Sequence, residues 1–118
     1  MKILIFDRGF DDAILYGTKR MTIRQTCRVS PGDVIGLRAW SGRPRWSKQY
    51  EIIQAEIVRT AAVRVAPNSL NLWGQESRIR VSLNEAAIAD GFEDWPSMAK
   101  YFDDRYGLPF DGYSIEWL

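Results

Sequence analysis

Short strands are the first elements that the apolar and polar pattern predicts. Ile3 to Phe6 is a continuous apolar run of strand length, which is typical of a buried strand. Met21 to Gln25 and Val34 to Trp40 alternate between apolar and polar positions, as half-buried strands do. Tyr50 to Val65 is rich in β-branched residues, and its length predicts either a bend near residues 61–62 or two separate strands.

Three helices are expected from periodicity and capping residues. An apolar stripe with a helical period covers about Phe10 to Tyr16, and Gly17 follows it as a C-terminal cap. A capping box starts a second helix, which spans Ser82 to about Asp90. The third helix, capped by the aspartate before it, spans Trp95 to about Tyr106.

The remaining elements complete the fold prediction. Residues 69–72 and 78–81 flank Trp73-Gly74-Gln75 in a pattern typical of a hairpin-shaped excursion. Tyr113 to Trp117 alternates as a final strand. Several strands with irregular connections, one early helix and two later ones predict a single α+β domain over residues 1–118. We expect a small mixed or antiparallel β-barrel with about three surrounding helices.

Composition narrows the functional classes. With 118 residues and 13.6 kDa the chain has the size of one domain, and its net charge of +1 gives no overall bias toward DNA or an anionic membrane. The single Cys27 excludes an internal disulfide and a multi-cysteine metal site. No histidine is present, so any proton transfer has to use Lys, Asp, Glu, Tyr or this Cys.

Apolar runs and charge also set expectations for location and partners. Asp7 interrupts the first apolar run too early for a signal peptide, and no run is long enough to span a bilayer. We therefore expect a cytoplasmic protein without a membrane partner, cofactor or metal, as a monomer or weak dimer. Basic residues concentrate in the first half and many acidic residues in the second. The result is either a mixed surface or a basic and an acidic wall across a cleft.

One segment, Gly17-Thr18-Lys19-Arg20-Met21-Thr22-Ile23-Arg24, concentrates cations and hydroxyls around a threonine. On a strand, Thr22 and Arg24 lie on the same face, and Lys19 can fold back from the preceding loop. A threonine hydroxyl becomes a nucleophile when a base takes its proton, and a lysine is such a base if burial or nearby cations lower its pKa. The alternative is that the cations are solvated and the threonine serves β propensity.

Motifs of the common enzyme classes are missing from the chain. The sequence has no Walker loop, no dinucleotide glycine fingerprint, no histidine-based metal motif and no Gly-x-Ser-x-Gly elbow. Their absence excludes most common enzyme classes by the sequence requirements of those classes.

Four pieces of the chain together resemble the ASCH family. They are Gly17 to Arg24, Pro31-Gly32-Asp33-Val34-Ile35, Ala87-Ile88-Ala89-Asp90-Gly91-Phe92, and a final strand that ends in Trp117. The resemblance covers nearly the whole chain and implies a PUA-like small β-barrel with helices around a basic cleft, linked to RNA or modified-nucleoside chemistry. Some small bacterial members of that family are amidohydrolases that remove acyl groups from N4-acetylcytidine, with a Lys, a Thr and a Glu as their active set.

The same resemblance implies catalytic roles. The family's lysine matches Lys19 and its threonine matches Thr22, while its glutamate falls at Asp90. Thr22 would attack the exocyclic amide carbonyl, Lys19 would take its proton, and Asp90 would hold Lys19 in place. An aspartate reaches about one ångström less far than a glutamate, so we expect either a shifted backbone or an incomplete triad. Glu93 is an alternative carboxylate, and Asp90 is also typical of a helix-end acid before a capping glycine.

Ligand-binding candidates include both cations and aromatic residues. Backbone amides of the turn, or Arg24, are expected to stabilise the oxyanion. Aromatic candidates for a nucleobase slot, which are also typical of core residues, are Phe6, Phe10, Trp40, Trp73, Phe92 and Tyr113. The full substrate-binding or RNA-binding set is Arg20, Arg24, Arg43, Arg45, Lys48, Trp40 and Phe6.

The alternative function is a non-catalytic RNA-binding module. One loop interleaves cations with tryptophans, as surfaces that track single strands and stack bases do. Its residues are Arg43, Arg45 and Lys48 with Trp40 and Trp46. The same pattern is typical of a solvated hairpin tip with a tryptophan folded back. The expected partner is therefore an N4-acylcytidine or RNA. A third functional class, a small interaction domain, has no sequence feature in its favour.

Overall fold

The computed structural model describes residues 2–73 and 83–117, and within them six strands and three α-helices. The strands are β1 (Ile3–Phe6), β2 (Met21–Arg24), β3 (Val34–Trp40), β4 (Gln49–Ala66), β5 (Ser69–Trp73) and β6 (Phe110–Trp117). A 3-10 turn at Arg8–Phe10 leads into α1 (Asp11–Leu15), and the later helices are α2 (Leu83–Ala89) and α3 (Trp95–Tyr106).

The described strands form a mixed sheet in the order β1-β3-β4-β6-β2, with β5 paired to β4. β1 and β3 are parallel, and every other described pair is antiparallel. β4 holds the sheet together, because its first half pairs with β3 and its second half with β6 and β5. The α+β class is confirmed. Because β1 and β2 stand at the two ends of the order, the described sheet is open and a closed barrel is not shown.

The long strand β4 differs from its prediction in where it is irregular. It runs unbroken over 18 residues, so it is not two strands. Its register with β6 shifts between Ile57 and Arg59, whereas the pairing is regular at residues 61–62. Ala61 and Val63 are both buried, so the period of two continues through the predicted bend. The shift instead coincides with the point where β4 changes its partner from β3 to β6.

Most other predicted elements are confirmed with changes at their ends. The first helix is shorter than expected, because Phe10 belongs to the 3-10 turn and Tyr16 follows α1. β6 begins before the predicted Tyr113. The predicted strand over 78–81 and the capping residue Ser82 lie outside the described residues.

The third helix, α3, has the predicted bounds and ends. Asp94 Oδ1 accepts a hydrogen bond from Ser97 N at 2.9 Å, which satisfies one free amide of the first turn. Gly107 follows the last turn with a φ of 80°, a conformation that glycine adopts without a Cβ penalty. Among residues 2–73 and 83–117, no helix combines the length and the hydropathy that a membrane span requires.

Two buried clusters pack against the sheet, and β2 faces both. The first cluster packs α2 and α3 against β2, β4 and β6, and the second packs α1 against β1, β3 and the far end of β6. Met21 and Ile23 belong to the first cluster. Because neighbouring side chains of a strand point to opposite faces, Thr22 and Arg24 lie on the side of the second cluster. The fold thereby places the predicted threonine at the boundary between the two cores.

Candidate active site

The backbone around Lys19 is fixed by two helices. Lys19 N donates to the carbonyl of Ala13 in α1 at 2.9 Å, and Arg20 N donates to the carbonyl of Ala89 at the end of α2 at 2.8 Å. Gly17, with a φ of 83°, allows the chain to leave α1 toward this position. The segment before β2 is therefore held between the first and second helices.

The Lys19 side chain is buried and fully hydrogen-bonded. Only 2% of Lys19 is exposed. Its Nζ donates to the carbonyls of Met21 and Asp90 at 2.9 and 2.5 Å, and to Asp90 Oδ1 at 2.8 Å. An ammonium has three N–H donors, so these three acceptors account for all of them. Nζ also lies 4.5 Å from the centroid of the Phe10 ring, within cation–π range.

Asp90 reaches Lys19 although an aspartate side chain is one methylene shorter than a glutamate side chain. The residue is 2% exposed and follows α2, where Asp90 N still donates to the carbonyl of Ala86 at 3.1 Å. Its carboxylate and its own carbonyl both accept from the same Nζ. Glu93, the alternative carboxylate, is exposed and does not line the cavity at this site.

Gly91 makes room for this pair. Its φ is +88°, and a Cβ at this position would lie 2.9 Å from Lys19 Cδ and 2.9 Å from Phe10 Cδ1. Both distances are shorter than carbon–carbon contacts allow. The glycine after Asp90 is thus required for its backbone conformation and for the space that the lysine stem and the phenyl ring occupy.

Burial brings the pKa values of Lys19 and Asp90 closer together. It lowers the pKa of the Lys19 ammonium, against the opposing effect of Asp90, and Arg24 adds a smaller lowering contribution. Burial also raises the pKa of the Asp90 carboxyl, against the opposing charge of Lys19. Both directions disfavour the charged forms of the two groups.

Thr22 and Arg24 share a face of β2, as the period of two predicts. Thr22 is 5% exposed, and its Oγ1 accepts a hydrogen bond from Arg24 Nε at 3.1 Å. Arg24 Nη2 donates to the carbonyl of Ile5 in β1 at 2.7 Å. The guanidinium therefore bridges the two end strands of the open sheet. Within the described residues, no hydrogen bond joins Lys19 Nζ to Thr22 Oγ1. The predicted base and the predicted nucleophile therefore line the same cavity but are not hydrogen-bonded to each other.

A cavity of about 100 Å³ opens over these groups. It is smaller than the roughly 300–1,000 Å³ of sites that enclose drug-sized ligands, so it fits one ring with a small substituent. Its wall is largely aromatic, with Phe6, Phe10, Phe92, Tyr101, Phe102 and Tyr106. Arg105 and Asp7 add charge. Planar rings stack on such walls, while the polar groups fix orientation.

No family model, no curated protein and no solved structure matches this chain. The chemistry of the site therefore has to be inferred from its own residues. Among residues 2–73 and 83–117, no group of three or more His, Cys, Asp or Glu side chains is placed to hold a metal ion.

Residues of α3 complete the site, although the sequence interpretation did not include them. Tyr101, Arg105 and Tyr106 all line the cavity, and Arg105 Nη1 donates to the Tyr101 hydroxyl at 2.9 Å. The spacing of four places Tyr101 and Arg105 on one helix face, which is the available sequence signal. That signal does not show which part of the sheet the face meets.

Other predicted binding residues lie away from this cavity. Arg43, Arg45 and Lys48 are exposed in the loop between β3 and β4, and Arg20 is exposed before β2. None of them lines the cavity, nor do Trp40 and Tyr113. The side chain of Trp73 lies outside the described part of the chain. Of the predicted set, the structure brings together Lys19, Thr22, Asp90, Arg24 and Phe6, with Phe10 and Phe92 beside them.

Proposed function

We propose that the chain is an amidohydrolase that removes the acyl group from N4-acylated cytidine. The observation that carries the proposal is the buried ion pair of Lys19 with Asp90, which lies beside Thr22 in a cavity walled by aromatic rings. A charged pair costs desolvation energy, and a buried lysine with a lowered pKa in a cleft is a candidate base. Membership of the ASCH family, with a PUA-like barrel, a cytoplasmic location and a monomer or weak dimer, belongs to the same proposal.

The first half of the reaction uses the pair as a proton reservoir. One proton passes from Lys19 Nζ to Asp90 Oδ1, and the amine then turns toward Thr22 and takes the hydroxyl proton. Thr22 Oγ1 bonds to the acyl carbon and a tetrahedral intermediate forms. When the bond between that carbon and N4 breaks, Lys19 returns its proton to N4, and cytidine leaves. The acyl group remains on Thr22 as an ester.

The second half releases the acyl group. A water molecule gives a proton to Lys19 and attacks the ester carbon. When the bond between that carbon and Thr22 Oγ1 breaks, Lys19 returns the proton to Oγ1 and the carboxylic acid leaves. Asp90 then returns its proton to Lys19 Nζ, which restores the ion pair. Arg24 is the donor for the oxyanion in both halves, because N–H groups remain after its bonds to Thr22 and Ile5. The aromatic wall holds the cytosine ring so that the amide meets Thr22.

A panel of N4-acylcytidines tests this proposal, with acetyl, propionyl and benzoyl groups and cytidine release as the readout. We expect hydrolysis by the wild type and a loss of about 10³-fold or more in kcat/KM for Thr22→Ala. Thr60→Ala is the matched control, because Thr60 faces the same side two strands away and does not line the cavity. Circular dichroism melting checks that both variants fold. Absence of release from every substrate by the wild type would refute the proposal.

A second candidate function, RNA binding without catalysis, is favoured by the loop between β3 and β4. The Arg43 guanidinium lies 5.5 Å from the Trp46 ring, and Trp46 is 79% exposed. An exposed cation on an exposed indole is a stacking surface for unpaired bases. We expect RNA affinity to fall with salt and to drop in the double variant Arg43→Ala with Arg45→Ala. An affinity that does not change with salt argues against this function.

A further inference from the structure

A second cavity, of about 490 Å³, shares Arg24 with the first. One side of it is formed by Lys2, Ile3 and Leu4, and the other by the segment 25–29 that follows β2. It therefore lies where the two end strands of the open sheet face each other. A ligand that extends beyond the first cavity along Arg24 would enter this space.

The charged residues that line the second cavity are all basic. Its lining includes Lys2, Arg24 and Arg28, and it contains no carboxylate. Arg28 is exposed and has no ion pair or hydrogen bond with any residue in 2–73 or 83–117. Lys2 has one weak partner, Asp33, with Nζ 3.6 Å from Oδ2. Such a set of cations, in which only Lys2 has an ion-pair partner among the described residues, attracts an anion.

Arg24 has donors to spare for that anion. A guanidinium carries five N–H groups, and Arg24 uses one on Thr22 and one on Ile5. The others have no acceptor among the described residues. Planar guanidinium groups bind phosphate oxygens in pairs, which makes an arginine between two cavities a natural contact for a phosphate ester.

The backbone of β1 adds a further donor. Gly36 N donates to the Lys2 carbonyl, so in this parallel pair the alternate residues Ile3 and Ile5 direct their N–H and C=O groups away from β3. The bond from Arg24 to the Ile5 carbonyl agrees with this direction. The N–H of Ile3, a residue that lines the second cavity, is therefore directed to the open side of the sheet.

We propose that the second cavity binds the phosphate of a nucleotide whose cytosine lies in the first cavity. This inference rests on the proposed function and deepens it, because the substrate becomes an acylated cytidine nucleotide or the end of an RNA rather than a free nucleoside. The apolar floor, formed by Leu4, Val29 and Ile115, takes the sugar. The cations Lys2, Arg24 and Arg28 take the phosphate.

The test measures binding of cytidine, cytidine 5′-monophosphate and cytidine 3′-monophosphate by calorimetry at low salt. None of these probes carries an acyl group, so the result does not depend on hydrolysis. We expect one monophosphate to bind about tenfold more tightly than cytidine, and which one shows the direction of the chain. The preference should disappear in the double variant Lys2→Ala with Arg28→Ala and persist in Thr22→Ala.

Arg64→Ala with Lys100→Ala is the matched control, since this double variant also removes two exposed cations and neither residue lines a cavity. Retention of the preference in this variant shows that net charge is not the cause. Equal binding of cytidine and both monophosphates, no binding of either monophosphate, or a preference that survives in the double variant would overturn the inference. A nucleotide preference in a protein that hydrolyses no N4-acylcytidine would uphold the phosphate site and reject the amidohydrolase.

Discussion

Two ion pairs of similar length lie in very different surroundings. Lys19 Nζ is 2.8 Å from Asp90 Oδ1, and the two side chains are 2% and 3% exposed. Arg64 Nε is 2.7 Å from Asp111 Oδ1, and those side chains are 48% and 63% exposed. Burial raises the pKa of Asp90, whereas the hydrogen bond from Arg64 lowers the pKa of Asp111. The contact with a cation lowers the carboxyl pKa in both pairs, and burial outweighs that effect at Asp90 but not at Asp111.

Of the two pairs, only the buried pair of Lys19 with Asp90 needs an explanation other than stability. A surface pair such as Arg64 with Asp111 needs no explanation, because water solvates both partners before and after they meet. A buried pair loses that solvation, and replacing it with apolar residues is often neutral or stabilising. Lys19 and Asp90 line an aromatic cavity together with Thr22. The desolvation energy that this buried pair costs is best explained by the proton transfer that we propose for it.

The largest expected effect comes from removing one partner in each pair. Lys19→Met leaves the Asp90 carboxyl buried without its ion-pair partner, and we expect a loss of about 3–5 kcal/mol in the free energy of unfolding. Arg64→Met leaves Asp111 in water, so its effect should be much smaller. Urea denaturation of both variants measures the difference. The double variant Lys19→Met with Asp90→Leu should recover most of the loss, and equal losses at the two sites would contradict the distinction.

A smaller loss of stability is expected from replacing Gly91, the glycine that makes room for the buried pair. Gly91→Ala costs about 1–2 kcal/mol for its φ of +88°. It costs about 1–3 kcal/mol more for the clash with Lys19 and Phe10. Gly32→Ala is the control, because its φ is +94° and a Cβ there meets no atom within 4 Å. Thermal unfolding should show Gly91→Ala as the less stable variant. If the two variants melt together, the space around the lysine stem is not filled.

The smallest effect is a difference in how stability depends on pH. The lowered pKa of Asp111 gives stability that is present above its usual 3.8 and is lost as pH falls through the folded value. The raised pKa of Asp90 gives stability that is full below 3.8 and is lost as pH rises through the folded value. Between pH 3 and 6, the stability advantage of the wild type over Asp111→Asn should therefore grow with pH. Its advantage over Asp90→Asn should decline, and slopes of equal sign would contradict the assignment.

Local patterns were sufficient to predict several elements. The alternation of Met21 to Arg24 and of Val34 to Trp40 fixes two strands, and it places Thr22 and Arg24 on one face. Asp94 and Gly107 bound α3 as capping rules predict. These features depend on residues close together in the chain, where propensity and hydrogen bonding act without tertiary packing.

Features that depend on contacts between residues far apart in the chain could not be predicted from local patterns. The register shift at 57–59 follows from an exchange of partner strands, while the local pattern of β4 is continuous there. The face of α3 that carries Tyr101 and Arg105 is visible in the helical spacing, but its placement at the cavity that β2 also lines is set by packing. The partnership of Lys19 with Asp90 was expected from the family resemblance alone, because no local rule links these two positions.

The distance in sequence between the two halves of the site has a consequence for biosynthesis. Lys19 and Asp90 are 71 positions apart, so the lysine has no counter-ion until the later part of the chain has been synthesised and α2 has docked. A nascent or truncated chain that ends before Asp90 contains the threonine and the lysine in an unassembled state. The amidohydrolase activity that we propose therefore requires docking of α2, and its recovery during refolding should not precede that docking.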